Sequence, residues 1–133
     1  MLAEADRIIA SLAAGRTVAR PPPALAPLFS ETAQPYLIAW FRHDPVGELK
    51  RTRVPALAIQ GTSDPQIGVE DARALAAARD GISLVLVPGM NHVLRDAPAG
   101  RAANLATYGN ASLPLSRGLV DAVVSFVRSA GAR

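Results

Sequence analysis

"VPALAIQGTSDPQIGVEDARALAAARDGISLVLVPG", residues 54–89, decides how this chain folds. It holds two compact apolar runs, 54–60 and 82–88, closed by Gly61 and Gly89. Short, continuously apolar runs suit strands covered on both faces of a parallel sheet, where the alternation of a half-solvated strand is absent. Between them, residues 69–81 are rich in alanine, with Glu70 and Asp71 in the first turn and Gly81 at the end. Acids near a helix N-terminus meet the positive end of its dipole, and glycine accepts the left-handed stop. Strand, helix and strand at this spacing make a βαβ unit, whose right-handed crossover sets the two strands parallel. The expected class is α/β.

Upstream, Leu2, Ala5, Ile8, Ile9 and Leu12 fall on one helical face, and Gly15 stops the helix, which is expected over about 2–14. The three prolines of "RPPPALAP", residues 20–27, remove backbone donors and favour an extended linker or surface crossing. A second helix, capped near Ser30 and ending near Asp44-Pro45, should place Tyr36, Leu37, Trp40 and Phe41 on an apolar face. Downstream, a polar loop containing "YGNASLPLSRG" leads to a final amphipathic helix at 119–129. Two strands alone do not make a stable parallel sheet. The run at 54–60 therefore requires a further neighbour, from another chain or from a larger fold.

With 133 residues, half of them hydrophobic and 19 % charged, the chain has the size and composition of one domain or part of one. It contains no cysteine, which excludes disulfides, thiolate-bound zinc and a cysteine nucleophile. The net charge of +3 is carried by scattered arginines, with one cluster, "KRTR", at 50–53. Nucleic-acid modules interleave basic stripes with aromatic residues, and here aromatics are only 5 %, so no nucleic-acid partner is expected. No apolar stretch approaches the roughly 20 residues that span a bilayer. The first segment carries acids inside its apolar stretch, unlike a signal peptide. The expectation is a cytoplasmic protein without a membrane partner.

Ligands of open α/β sheets gather at the carboxyl ends of the strands. Asp64 lies just past the first run in "GTSDPQI", and His92 just past the second in "GMNHVL". Parallel strands about 4.8 Å apart bring both exits to one edge. An Asp–His hydrogen bond is then within reach, and it fixes the imidazole tautomer and stabilises imidazolium. Taken singly, each has an ordinary reading, a turn residue in "SDP" and a hydrogen-bonded loop histidine. Zinc needs further ligands, and the one remaining histidine, His43, sits at an expected helix end where the dipole accounts for it. No metal and no cofactor is expected.

Residues 54–78 together with "LVLVPGMNHVL" resemble the C-terminal part of the α/β-hydrolase superfamily, nearest to bacterial serine hydrolases of esterase, lipase or acyl-peptidase type. The resemblance covers roughly residues 30–133. It implies that Asp64 matches the triad acid and His92 the triad histidine, that 119–129 is the closing helix, and that residues 1–28 are a helix and linker left from a cap. The implied reaction is hydrolysis of a small-molecule ester or related acyl bond. The order on that fold is nucleophile, acid, histidine, with the serine on a G-x-S-x-G elbow, and no such elbow occurs in these residues. Ser63, beside Asp64, is a poor substitute, because adjacent side chains point apart. This chain alone is therefore expected to be inactive, as a C-terminal portion whose first strands and nucleophile lie elsewhere. The alternative is a non-catalytic interaction module that completes its sheet with a partner or as a homodimer.

Overall fold

The structure, a computed structural model, describes residues 1–131. It contains a two-stranded parallel sheet of β1 (Ala56–Gly61) and β2 (Ile82–Val87), in a register that sets Ala56 beside Ile82 and Gly61 beside Val87. The helix between them packs on both strands and is the crossover expected from the sequence. In chain order the helices are α1 (Leu2–Ala13), α2 (Ala26–Phe29), α3 (Gln34–Trp40), α4 (Pro45–Arg51), α5 (Val69–Ala76), α6 (Arg101–Ala106) and α7 (Arg117–Gly131). The molecule is a mixed α/β structure in which helices flank a parallel pair. Among the described residues no helix is long and apolar enough to cross a membrane.

The chain groups into two units, Met1–Glu48 and the remainder from Leu49. In the first unit, Ile8 and Leu12 of α1 are fully buried against Leu25 and Phe29, with Leu37 and Ile38 packed around them. The proline-rich stretch is thus not the extended linker expected of it. Residues 22–25 turn, with Pro22 O accepting from the Leu25 and Ala26 N–H groups, and deliver Leu25 and Phe29 to the core. Gln34, also fully buried, supports that path. Its Oε1 accepts from Val18 N at 2.7 Å, and its Nε2 donates to Val18 O at 2.8 Å and Phe29 O at 3.0 Å. A buried amide here satisfies backbone groups of an irregular segment that has no sheet or helix partner.

The helix expected from Ser30 begins later, at Gln34, because Pro35 lacks an N–H and is tolerated only in a first turn. Glu31 lies before that helix, and its Oε1 accepts from Arg20 N at 3.1 Å. The expected apolar face divides: Leu37 packs on the core, while Tyr36, Trp40 and Phe41 are exposed, Tyr36 and Trp40 tilted at a ring separation of 5.8 Å.

In the second unit both strands are only half-buried along most of their length, and Gly61 and Val87 at their carboxyl ends are the buried positions. The sequence suggested strands covered on both faces. Continuous apolar runs do encode that environment, but here each strand has one neighbouring strand among the described residues and its main helical cover comes from α5 and α7. The longest helix, α7, packs on both strands; its Leu119, Ala122 and Phe126 are half-buried, and Val120, Val123, Val124 and Val127 are exposed. Gly118 permits its close approach, since a Cβ there would sit 2.8 Å from a Val87 methyl.

Candidate functional site

Both strands end at the same edge, and the loops leaving them are stitched together by backbone bonds. Thr62 N donates to Val87 O and Ser63 N to Met90 O, each at 3.0 Å. Gly89 N donates to Thr62 Oγ1 at 3.0 Å. The approach is close enough to demand glycine at 61, where a Cβ would stand 2.0 Å from Met90 O.

Past this seam, Asp64 sits in a turn that satisfies its carboxylate from four directions. Oδ1 accepts from Gln66 N at 2.8 Å and Ile67 N at 3.1 Å. Oδ2 lies 3.1 Å from Gln60 Nε2, which donates to it, and 3.0 Å from His92 Nδ1. The Asp64 side chain is 6 % exposed and that of His92 41 %. Burial alone would raise the Asp64 carboxyl. The backbone N–H bonds of Gln66 and Ile67, followed by those of His92 and Gln60, outweigh burial and hold it below its usual value.

A carboxylate in this state only accepts, so His92 Nδ1 carries the proton. Ring geometry then turns Nε2, the basic nitrogen, away from Asp64. His92 lies at the tip of a tight turn in which Asn91 N donates to Arg95 O at 2.9 Å and Leu94 N to Asn91 O at 3.0 Å. The turn forces Leu94 to a positive φ of 62°, a conformation that costs a branched residue energy. Flanking bonds hold it in place: Met90 pairs with Asp96, and Ser116 N donates to Leu94 O at 2.8 Å.

The residues that hold this geometry carry little signal in the sequence. Gln60 lies within an apolar run of the sequence, and its amide orientation is set by three acceptors, Asp64 Oδ2, Gly61 O and Ile67 O. Asn91, beside His92, carries no sequence signal of its burial, yet it is 1 % exposed. Asn104 within α6 and Thr107 at its C-cap, also buried, precede the stretch expected to be a polar loop, and no element is expected there from the sequence. The one available signal was "RAANLATY", a short helical run of small residues interrupted by Asn and Thr.

The other candidates are placed as follows. Ser63 is half-buried, and its backbone is engaged at both N–H and C=O. His43 lies between α3 and α4, its N–H donating to Trp40 O at 3.1 Å. Among the described residues no three His, Cys, Asp or Glu side chains converge as metal ligands. An apolar groove of ≈ 570 Å³ lies between α7 and the sheet, lined by Leu57, Val85, Gly118, Ala122 and Phe126 with Ser83 and Asp121, and neither Asp64 nor His92 contributes to it. Comparison with protein families, with curated proteins and with solved structures gives no match for this chain.

The arrangement has a defined chemical capacity. An ionised, saturated carboxylate holds a partly exposed imidazole in one tautomer, with its basic nitrogen free to take a proton from a hydroxyl. Among the described residues no hydroxyl hydrogen-bonds that nitrogen.

Proposed function

We propose that this chain supplies the acid and the base of a hydrolytic site, as the C-terminal portion of an α/β-hydrolase-type serine hydrolase acting on esters or related acyl bonds. The observation that carries the reading is the 3.0 Å Asp64–His92 hydrogen bond at the exits of adjacent parallel strands. In this mechanism His92 Nε2 removes the proton from a serine hydroxyl as it attacks the acyl carbon, and later gives that proton to the leaving group. Asp64 holds the ring and stabilises the imidazolium formed between those steps. The serine and the donors that stabilise the oxyanion come from outside these 133 residues.

The test is the polypeptide encoded upstream and in frame with Met1. A G-x-S-x-G segment there, with p-nitrophenyl ester hydrolysis by the longer protein falling by about 10⁶-fold in His92→Ala, supports the reading. Ester turnover by the purified 133-residue chain, lost in His92→Ala, overturns it, because the chain would then contain its own nucleophile.

A second reading has its own observation. The half-buried strands and the outer edge of β1, unpaired among the described residues, favour a chain that completes its sheet with a partner or with a second copy, without catalysis. Light scattering after size exclusion separates the cases: a discrete dimer supports this reading, and a monomer counts against it.

A further inference from the structure

We propose that Asn104 of α6 is a positioning residue that sets the approach of Asp64 to His92. The residues immediately before the two members of the pair, Ser63 and Asn91, both bond to this one side chain. Asn104 Nδ2 donates to Ser63 O at 2.8 Å, and Asn104 Oδ1 accepts from Asn91 Nδ2 at 3.0 Å. The second Asn91 amide hydrogen goes to Thr107 Oγ1 at 2.7 Å, whose own hydrogen goes to Asn104 O at 2.7 Å.

The orientations of both amides are settled by backbone groups at the ends of this network. Ser63 O can only accept, so the Asn104 nitrogen faces it. Arg95 N can only donate, and it lies 3.2 Å from Asn91 Oδ1, so the Asn91 nitrogen faces Asn104. Asn91, Asn104 and Thr107 are 1 %, 4 % and 8 % exposed, and among the described residues no buried side-chain polar atom lacks a partner. Buried amides whose polar atoms all have partners resist rotation, because turning either one sets donor against donor in a dry site.

The geometric consequence follows from the short covalent reach. Asn104's anchor at Ser63 is the chain neighbour of Asp64, and its anchor at Asn91 is the chain neighbour of His92. A shift of α6 therefore moves both loops, and a loss of the Asn104 amide releases one from the other. Two weaker ties run the same way: Gln66 Nε2 donates to Tyr108 Oη at 3.0 Å, and the Arg95 guanidinium donates to Asn110 O. The proposal concerns placement and stands in the 133-residue chain itself; its consequence for rate rests on the hydrolytic reading above.

The test is long-range ¹H–¹⁵N spectroscopy of His92 in the intact chain, reading the ratio of Nδ1–H to Nε2–H tautomers beside the melting temperature. Wild type should hold the Nδ1–H form. In Asn104→Ala, loosening one charge-assisted bond should lower that ratio by about tenfold. Thr107→Val, isosteric but without the hydroxyl, should lower it by a smaller factor, and Thr107→Ser should restore it. If Asn104→Ala does not fold, the Thr107 pair decides the matter. A melting temperature that drops in these variants while the tautomer ratio and His92 titration stay as in wild type overturns the proposal, since Asn104 would then only stabilise. A tautomer ratio governed by Asn104, with an upstream-extended protein that has no esterase activity, removes the hydrolytic reading and leaves the positioning role standing.

Discussion

Replacing Asp64 by Asn changes one atom type and tests the electrostatics of the pair directly. The two backbone donors, Gln66 N and Ile67 N, still meet an oxygen at Oδ1. The other branch becomes an NH₂ group facing two donors, Gln60 Nε2 and His92 Nδ1. Each lost bond to a charged acceptor is worth about 1.5–3 kcal/mol. Part of this returns when His92 moves its proton to Nε2 and accepts from the new amide through Nδ1. The His92 ring is also partly solvated, which places its own bond at the low end. A net destabilisation of about 2 kcal/mol at neutral pH follows, read as a fall in melting temperature of about 10 °C for a unit of this size. In the same sample, His92 should show the Nε2–H tautomer in place of Nδ1–H, and a base with its free nitrogen turned inward cannot take a proton from an outside hydroxyl. A variant melting within about 2 °C of wild type, with the Nδ1–H tautomer intact, would refute the reasoning, because the carboxylate charge would not be what orients the ring.

Acid should unfold the second unit through the same carboxylate. Its folded-state value is depressed, so the stabilisation is fully present above the ordinary Asp range and disappears as pH falls through that range to the lowered value. Urea midpoints measured across this window should decline in wild type and decline less steeply in Asp64→Asn. Gly61→Ala should cost about 3 kcal/mol or more in urea denaturation, because the new methyl meets the Met90 carbonyl, a backbone atom that cannot rotate away. Gly118→Ala should cost only about 1 kcal/mol, since its obstacle is a Val87 methyl and alanine gains helix propensity in return. In the first unit, Ile8→Ala should cost about 2–5 kcal/mol and abolish amide-exchange protection in α1.

The parts of the fold legible in the sequence were those encoded by local pattern. Two apolar runs closed by Gly61 and Gly89 mark β1 and β2, and acids at Glu70 and Asp71 mark the start of α5. The Asp64–His92 contact was also legible, since the crossover rule makes the strands parallel and puts both exits on one edge. Less legible was everything that depends on what a segment packs against. The prolines at 21–23 describe backbone freedom and say nothing of Leu25 and Phe29, whose burial beside Ile8 and Leu12 folds that segment back. Likewise Tyr36 and Trp40 share a helical stripe with Leu37 on paper, yet only Leu37 meets the core.

The sequence by itself determined the α/β character, the parallel crossover and the pairing of an acid with a histidine, because those follow from period, turn chemistry and the handedness of the chain. Only the tertiary structure decided how that pair is held. The Gln60 amide is turned toward Asp64 within one turn of chain, while the glycine forced at 61 and the buried Asn91–Asn104–Thr107 network join residues far apart in the chain through single atoms. Polar side chains have no periodicity that announces a partner; which donor meets which acceptor is settled when burial removes water and leaves each group one another to bond.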